Sequence, residues 1–179
     1  MNAKPAQKNA RDPVPVAASS SDNYVVHVER LTFEMVREAR AMYDVYGPLA
    51  NPANVASIAR ALIPDDGREH FGVLTLDTKL NVLRYHEVAI GTNRTVATAP
   101  PSVFGPVLRT LGADGLVLVH NHPTGDPSPS RDDLRLTRDL ARGAEILGLQ
   151  LHDHIIIGSG TERFVSLSAI RNQWEGRPE

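Results

Sequence analysis

The sequence predicts a single α/β domain in which a mixed β-sheet is flanked by helices. Its 179 residues, of which 41% are hydrophobic, suffice for one domain with a packed core. From residue 69 onward, short β-rich apolar runs alternate with segments of helical periodicity. Residues 116–119 form an unbroken apolar run, which is typical of a strand that is covered on both faces.

Composition and charge exclude several classes of protein. The formal net charge is −2, from 19 basic and 21 acidic residues, which excludes a generally basic nucleic-acid coat or membrane-surface protein. The absence of cysteine excludes disulfide frameworks, thiolate zinc fingers, iron–sulfur clusters and cysteine nucleophiles. No apolar run approaches the roughly 18 residues that a membrane span requires, and no hydrophobic segment follows the N-terminal basic residues. We therefore expect a cytoplasmic protein with no membrane association.

The chain before residue 67 carries no evident chemistry. Residues 1–22 are rich in Ala, Pro, Ser and Asn and are expected to form a disordered leader, with a basic tether for nucleic acid or a partner as the alternative. Residues 23–66 are expected to form a strand and helices that pack on the core. Within this segment the composition predicts a strand at 24–28 and a helix at 32–46.

A second helix in this front segment has clear boundary signals. Asn51 is a suitable N-cap, Pro52 suits the first helical position, and Pro64 ends the helix. Its predicted apolar face consists of Val55, Ile58, Ala59 and Leu62.

The core domain is expected to span residues 67–168 and to begin with a β-hairpin. Strands at 71–76 and 82–91 are joined by a turn at 77–81. A short amphipathic helix over 102–111 follows and is stopped by Gly112. Its predicted apolar face consists of Val103, Val107, Leu108 and Leu111.

The second half of the domain continues the alternation. Residues 130–147 form the longest predicted helix, which Gly148 ends. A buried strand over 149–157 and a short final strand over 163–167 follow. The tail, residues 169–179, is expected to fray.

The stretch with the clearest chemistry lies where the central apolar strand ends. His120 and His122 are two residues apart, a spacing that places both imidazoles on the same side of an extended chain. After a loop rich in Pro and Gly, the next helix begins at Ser130, which places Asp133 in its first turn. Two imidazole nitrogens and one carboxylate oxygen, with a fourth position left for water, form a suitable ligand set for catalytic zinc.

Each part of this stretch also has a purely structural interpretation. Ser130 and Asp133 match the capping-box pattern of Ser, two residues and an acid, and taken alone Asp133 is more often a helix cap than a metal ligand. The two histidines could be hydrogen-bonded loop residues. The complete pattern His-x-His-x7-Ser-x2-Asp arises by chance far less often than its parts, which favours the metal site.

The stretch from His120 to Asp133, His-x-His-Pro-x6-Ser-x2-Asp, resembles the JAMM motif of the JAB/MPN metalloproteases. The residues HNHPTGDPSPS are similar to the RadC-like bacterial branch of that family, as are Glu69 before the first strand of the hairpin and the run DHIIIG at 153–158. The resemblance covers about residues 30–168. Thr124 stands where the branch usually has Ser, and residues 99–102 replace its usual His/Tyr-Pro-Arg-Glu segment.

The resemblance implies a cytidine-deaminase-like (JAB/MPN) fold with zinc bound by His120, His122, Asp133 and a water. It also implies that Glu69 activates this water without binding the ion, which suits a carboxylate within hydrogen-bond reach. Ser130 matches the serine of the family, whose hydroxyl can donate to a developing oxyanion, and a capping role could coexist with this one. Glu87, in the second strand, is the competing candidate for the base.

Residues 152–154 form a second His-x-His pattern. The favoured interpretation is that Asp153 or His154 supports the zinc ligands through hydrogen bonds. The alternatives are a plain structural role and a second metal site that includes His152.

Three functions are compatible with these residues. The first is a zinc hydrolase that cleaves a peptide or isopeptide-like amide bond in a peptide or protein substrate. The second is a protein that acts on or near nucleic acid, since the RadC-like branch is associated with DNA repair, although the net charge of −2 and the lack of interleaved aromatic and basic residues argue against it. The third is a non-catalytic interaction domain that keeps zinc for structure.

Overall fold

The computed structural model of the chain describes residues 49, 51–91 and 98–169, which lie in a compact unit that spans Met42–Glu179. The predicted leader, the strand at 24–28, the helix at 32–46 and all of the tail beyond residue 169 lie outside the described residues. No helix of the described part is long and apolar enough to cross a membrane.

The described residues form three helices and five strands in a mixed sheet. The sheet has the order β2-β1-β3-β4-β5, in which β3 and β4 are parallel and every other neighbouring pair is antiparallel. The predicted α/β class with a mixed sheet is confirmed. In chain order the elements are α1 (Pro52–Leu62), β1 (Glu69–Leu76), β2 (Val82–Gly91), α2 (Pro100–Leu108), β3 (Gly115–His122), α3 (Arg131–Ile146), β4 (Gln150–Gly158) and β5 (Phe164–Ser166).

The central strand β3 is buried on both faces, as its apolar run predicts. Val117 and Val119 pack in the cluster that includes α1, and Leu116 and Leu118 pack in the cluster that includes α2 and α3. Side chains alternate along a strand, so these two sets define an α1 face and an α3 face of the sheet. The strand that carries the two histidines is therefore packed between α1 on one face and α2 and α3 on the other.

Helix α1 begins and ends as the sequence predicts. The side chain of Asn51 accepts a hydrogen bond from the N–H of Ala53 at 2.9 Å, and Pro52 occupies the first turn. Val55 and Ala59 are buried as predicted, and Ala56 joins them, whereas Ile58 and Leu62 are partly buried against the same cluster.

Helix α2 differs from its prediction. It spans Pro100–Leu108 instead of 102–111, and its buried side chains are Val103, Phe104 and Val107. Leu108 and Leu111 are 56% and 84% exposed. The hydroxyl of Thr110 donates to the carbonyl of Pro106 at 3.0 Å, and the chain then turns at Gly112, which leaves Leu111 outside the helix.

The loop that follows β3 packs tightly against the end of β4. His122 pairs with Gly158, and the carbonyl oxygen of His122 accepts hydrogen bonds from the N–H groups of Gly125 and Ser159. A Cβ atom at position 158 would collide with the carbonyl oxygen of Gly125. The turn after His122 thus requires glycine at position 158.

We expect Gly158→Ala to lower the free energy of unfolding by about 1–3 kcal/mol, because the colliding atom belongs to the backbone and cannot rotate away. Gly105→Ala is the matched control, since a Cβ atom at this position in α2 meets no atom within 4 Å. We expect the control to be neutral or stabilising by up to about 1 kcal/mol. Urea denaturation followed by circular dichroism measures both, and equal stability of the two variants would contradict the packing argument.

Candidate metal centre

The two histidines lie at the end of the central strand and face the same way. Because β3 extends to His122, His120 and His122 are both in extended backbone, and Asn121 between them points to the opposite face. Their Nε2 atoms are 3.0 Å apart. His120 is fully buried, whereas His122 is partly exposed at the edge of the site.

Asp133 is held against the histidines by the capping box of α3. The hydroxyl of Ser130 accepts from the N–H of Asp133 at 3.1 Å, while the N–H and hydroxyl of Ser130 both donate to Oδ2 of Asp133 at 2.7 Å. The nearest Asp133 oxygen atoms are Oδ1, 3.4 Å from Nε2 of His120, and Oδ2, 3.5 Å from Nε2 of His122. The capping interpretation and the ligand interpretation of Asp133 are therefore compatible.

The three side chains lie close enough together to share one small cation. The two Nε2 atoms are 3.0 Å apart, and each lies near a different oxygen of Asp133: Oδ1 is 3.4 Å from His120, and Oδ2 is 3.5 Å from His122. One potential ligand atom from each of His120, His122 and Asp133 lies within 4.8 Å of the other two. Nδ1 of His122 is 2.8 Å from the carbonyl oxygen of Asp126 and donates to it, so Nε2 is the nitrogen that faces Asp133 and that a cation would take. The donor set is compatible with a metal site.

The protonation states of His120 and Asp133 at neutral pH suit cation binding. Burial lowers the pKa of His120 to about 4, so this imidazole is neutral. Burial by itself would raise the pKa of Asp133, but the hydrogen bond with His122 and the proximity of His120 hold that pKa well below its usual value. The hydrogen bond to Asp133 in turn raises the pKa of His122. An ionised carboxylate thus lies beside a neutral imidazole, as metal ligation requires.

The two candidate bases lie on opposite faces of the sheet. Glu69 opens β1 and is two residues from Phe71, whose ring stacks on His120 with centroids 5.8 Å apart, so Glu69 projects on the face of the histidines. Burial raises the pKa of Glu69. The charge of His122 lowers this pKa, and the charge of Asp133 raises it. Glu87 pairs in register with Gly72 on the other face. The role of Glu69 as a base stays a prediction, and the geometry favours it over Glu87.

Glu87 is instead engaged with His70, which the sequence did not single out. The side chain of His70 is 1% exposed, with Nδ1 2.8 Å from Oε1 of Glu87 and Nε2 3.0 Å from Oδ1 of Asp66. Burial would lower the pKa of His70, but hydrogen bonds to the two carboxylates outweigh it and raise that pKa. No local pattern marks this cluster, because strand register brings Glu87 to His70.

Residues 152–154 separate into different environments. Nε2 of His154 is 2.8 Å from Nδ1 of His120, whereas the carboxylate of Asp153 accepts from the hydroxyl of Ser166 at 2.6 Å and from the N–H of Ser168 at 2.9 Å. His154 is therefore the member of this pattern that contacts a candidate ligand. Among the described residues, the one cluster of three metal-binding groups is that of His120, His122 and Asp133, so a second metal site around His152 finds no support there.

Thr137 is a further residue of the site that sequence reasoning missed. Its hydroxyl lies 2.6 Å from Nδ1 of His154 and 2.6 Å from the carbonyl oxygen of Asp133. The position of Thr137 one helical turn after Asp133 is the only signal that the sequence offers, since residues four apart lie on the same side of a helix.

Comparison with known proteins identifies the family of the chain. The family described as RadC-like JAB domain matches residues 49–173. The UPF0758 protein of Desulforudis audaxviator is 38% identical over 139 residues, which are 77% of this chain and 59% of the relative. The UPF0758 protein of Geobacter sulfurreducens is 45% identical over 102 residues, which are 57% of this chain and 43% of the relative. The chain spans about half the length of the curated relatives it matches.

The pairing of His70 predicts a pH-dependent difference between the wild type and Glu87→Gln. A raised folded-state pKa means that the pairing stabilises the fold fully below the unfolded-state value of about 6.5 and loses this effect as pH rises through the higher folded-state value. We expect Glu87→Gln to lower the free energy of unfolding at pH 6 by about 1 kcal/mol or less, because Glu87 is partly exposed.

Urea denaturation between pH 6 and pH 9 measures this difference, which should shrink as pH rises above about 6.5. The titration of His122 is common to both proteins and cancels in the comparison. A difference that stays constant over this range would contradict a charged His70.

Proposed function

Because the chain belongs to the RadC-like JAB domain family, we propose that it is a zinc-dependent hydrolase that cleaves a peptide or isopeptide-like amide bond. The observation that carries the proposal is the cluster of His120, His122 and Asp133 within reach of one cation, with the half-buried carboxylate of Glu69 on the same face. The mixed five-stranded sheet with its three helices is consistent with the JAB/MPN fold.

The chain supplies three cation ligands and a separate acid, which favours a catalytic centre over a structural one. Structural zinc sites are closed by four protein ligands, whereas catalytic sites keep one position for water. Zinc held by these residues would act as a Lewis acid and would lower the pKa of a water to about 7. This arrangement supports hydrolysis over the interpretation of a non-catalytic zinc-containing interaction domain.

Glu69 is proposed to accept the proton of the attacking water and to return it to the leaving amine. A general base must be strong enough to take a proton and weak enough to release it, so a carboxylate whose pKa is raised by burial suits both steps. Its place beside His122, at the partly exposed side of the cluster, is where a substrate carbonyl can approach. His120 lies on the buried side and serves only to bind the ion.

Ser130 is proposed to support the oxyanion, and the capping box sets the condition for this role. Its hydroxyl donates to Oδ2 of Asp133 at 2.7 Å, so it must turn away from that oxygen to donate to a substrate. The N–H of Ser130 holds the same oxygen at 2.7 Å and keeps Asp133 in place when the hydroxyl turns. Ser130 can therefore serve the helix and the substrate in turn.

A peptide or protein is the proposed substrate class. The alternative, action on or near nucleic acid, is a hypothesis from the family resemblance, and no contact among the described residues favours it. Retention of the protein on short DNA duplexes that decreases steeply with salt, together with inactivity on every peptide, would favour that alternative.

We expect purified protein to bind about one zinc ion per chain and Asp133→Asn to weaken zinc affinity by about 100-fold, because the variant removes a charged ligand. Asp132→Asn is the matched control, since Asp132 is an exposed acid in the same first turn of α3. Its affinity should stay within about twofold of wild type. Competition with a chromophoric chelator measures both, and wild-type protein with less than about 0.2 zinc per chain after zinc addition would contradict the proposal.

We expect Glu69→Gln to reduce turnover by about 10²–10⁴-fold while zinc content is unchanged, because the amide cannot accept the proton. A panel of fluorogenic peptide and isopeptide substrates provides the assay, with chelator-treated protein as the zero-activity reference. Glu87→Gln is the matched control on the other face of the sheet and should retain turnover. If Glu69→Gln hydrolyses substrate as fast as wild type, the assigned base is wrong.

A further inference from the structure

We infer that His154 and Thr137 are positioning residues that set the tautomer of His120 and join it to Asp133 through a ring of hydrogen bonds. The inference rests on the proposed metal centre and concerns how the centre is held in shape. Three contacts carry it: Nδ1 of His120 to Nε2 of His154 at 2.8 Å, Nδ1 of His154 to the hydroxyl of Thr137 at 2.6 Å, and that hydroxyl to the carbonyl oxygen of Asp133 at 2.6 Å.

The direction of the hydrogen bonds follows from the one group that can only accept. The carbonyl oxygen of Asp133 has no proton, so Thr137 donates its single hydroxyl proton to it. Nδ1 of His154 must then carry a proton and donate to Thr137, which leaves Nε2 of His154 as an acceptor. Nε2 of His154 accepts a hydrogen bond from the N–H at Nδ1 of His120. Nε2 of His120 is then left with the lone pair that a cation requires.

The opposite direction does not satisfy the same contacts. If Thr137 donated to His154, its contact with the Asp133 carbonyl would be lost, and Nε2 of His154 would carry a proton. His120 would then accept at Nδ1 and carry its own proton on Nε2, where it would block the ion. One proton arrangement therefore satisfies every contact of the ring and prepares the ligand.

The chain of hydrogen bonds from His120 through His154 and Thr137 to Asp133 is called the relay below. Its two imidazoles have little room to reorient. His120 and His154 are both fully buried, with ring centroids 4.8 Å apart. Phe71 stacks on His120 and meets the ring of His154 edge-on, with centroids 5.6 Å apart and an interplanar angle of 73°. Packing thus holds the two imidazoles at hydrogen-bond distance from each other.

The relay connects three elements of the fold. His120 lies on β3, His154 on β4, and Thr137 lies one turn after Asp133 on α3. A cation bound by His120 and Asp133 would complete the ring from the other side. Loss of His154 or Thr137 should therefore weaken cation binding although every ligand is still present. Removal of a hydrogen-bond partner of a metal ligand generally has this effect.

The first test compares zinc affinity in variants that keep all three ligands. We expect His154→Leu to weaken zinc binding by about 10–100-fold and Thr137→Val by about 10-fold, while Thr137→Ser, which keeps the hydroxyl, stays near wild type. Asp153→Asn controls for damage to β4, because its carboxylate faces Ser166 and Ser168 instead of His120. Thermal denaturation of each metal-free variant shows whether it is folded.

The second test reads the tautomer directly. Long-range ¹H–¹⁵N correlation spectra of metal-free wild type at pH 8 should show His120 with its proton on Nδ1, and His154→Leu should add the Nε2–H form. Zinc affinity and tautomer that both stay unchanged in His154→Leu and Thr137→Val would overturn the inference. Wild-type protein that binds no zinc would instead overturn the proposed function, and the tautomer spectra would still test the relay.

Discussion

The opening turn of α3 is the constraint on which the candidate site depends. Ser130 holds Oδ2 of Asp133 with both its N–H and its hydroxyl, so the orientation of the carboxylate is set by the helix cap. A ligand that is already ordered loses less conformational entropy on binding. Because β3 ends beside this turn, its two imidazoles lie 3.4 and 3.5 Å from the carboxylate oxygens. A capping motif that stabilises a helix thus also orients a ligand.

The sheet separates the carboxylates of Glu69 and Glu87, which lie on opposite faces. Glu69 shares the α3 face with the histidines, whereas Glu87 lies on the α1 face and is hydrogen-bonded to His70. A third carboxylate beside Asp133 and Glu69 would raise the cost of keeping all of them ionised. The alternation of side chains along β1 and β2 therefore keeps Glu69 near the centre and Glu87 beside His70 on the other face.

Much of the fold could be predicted because its signals are local. The N-cap at Asn51, the apolar run of β3 and the glycine after α3 each mark an element by its own residues. The mixed-sheet α/β class that these signals predict is confirmed, and so is the family that the motif of residues 120–133 indicated. The predicted bounds of α2 were wrong because periodicity does not show where the helix ends. Its end depends on the hydrogen bond from the Thr110 hydroxyl to the Pro106 carbonyl and on which apolar residues contact β1.

The sequence by itself placed His120 and His122 on one side of a strand and Asp133 in the first turn of a helix, since the period of a strand and the start of a helix follow short-range rules. That the three share one ion was implied by the family resemblance, and the tertiary structure brings them together. Only the tertiary structure decided which glutamate shares their face and which neighbour touches His120. Those outcomes depend on strand register and on the packing of α3 over β4, which join residues far apart in the chain. A shift of one residue in register would turn Glu69 to the opposite face, and no local spacing encodes that choice.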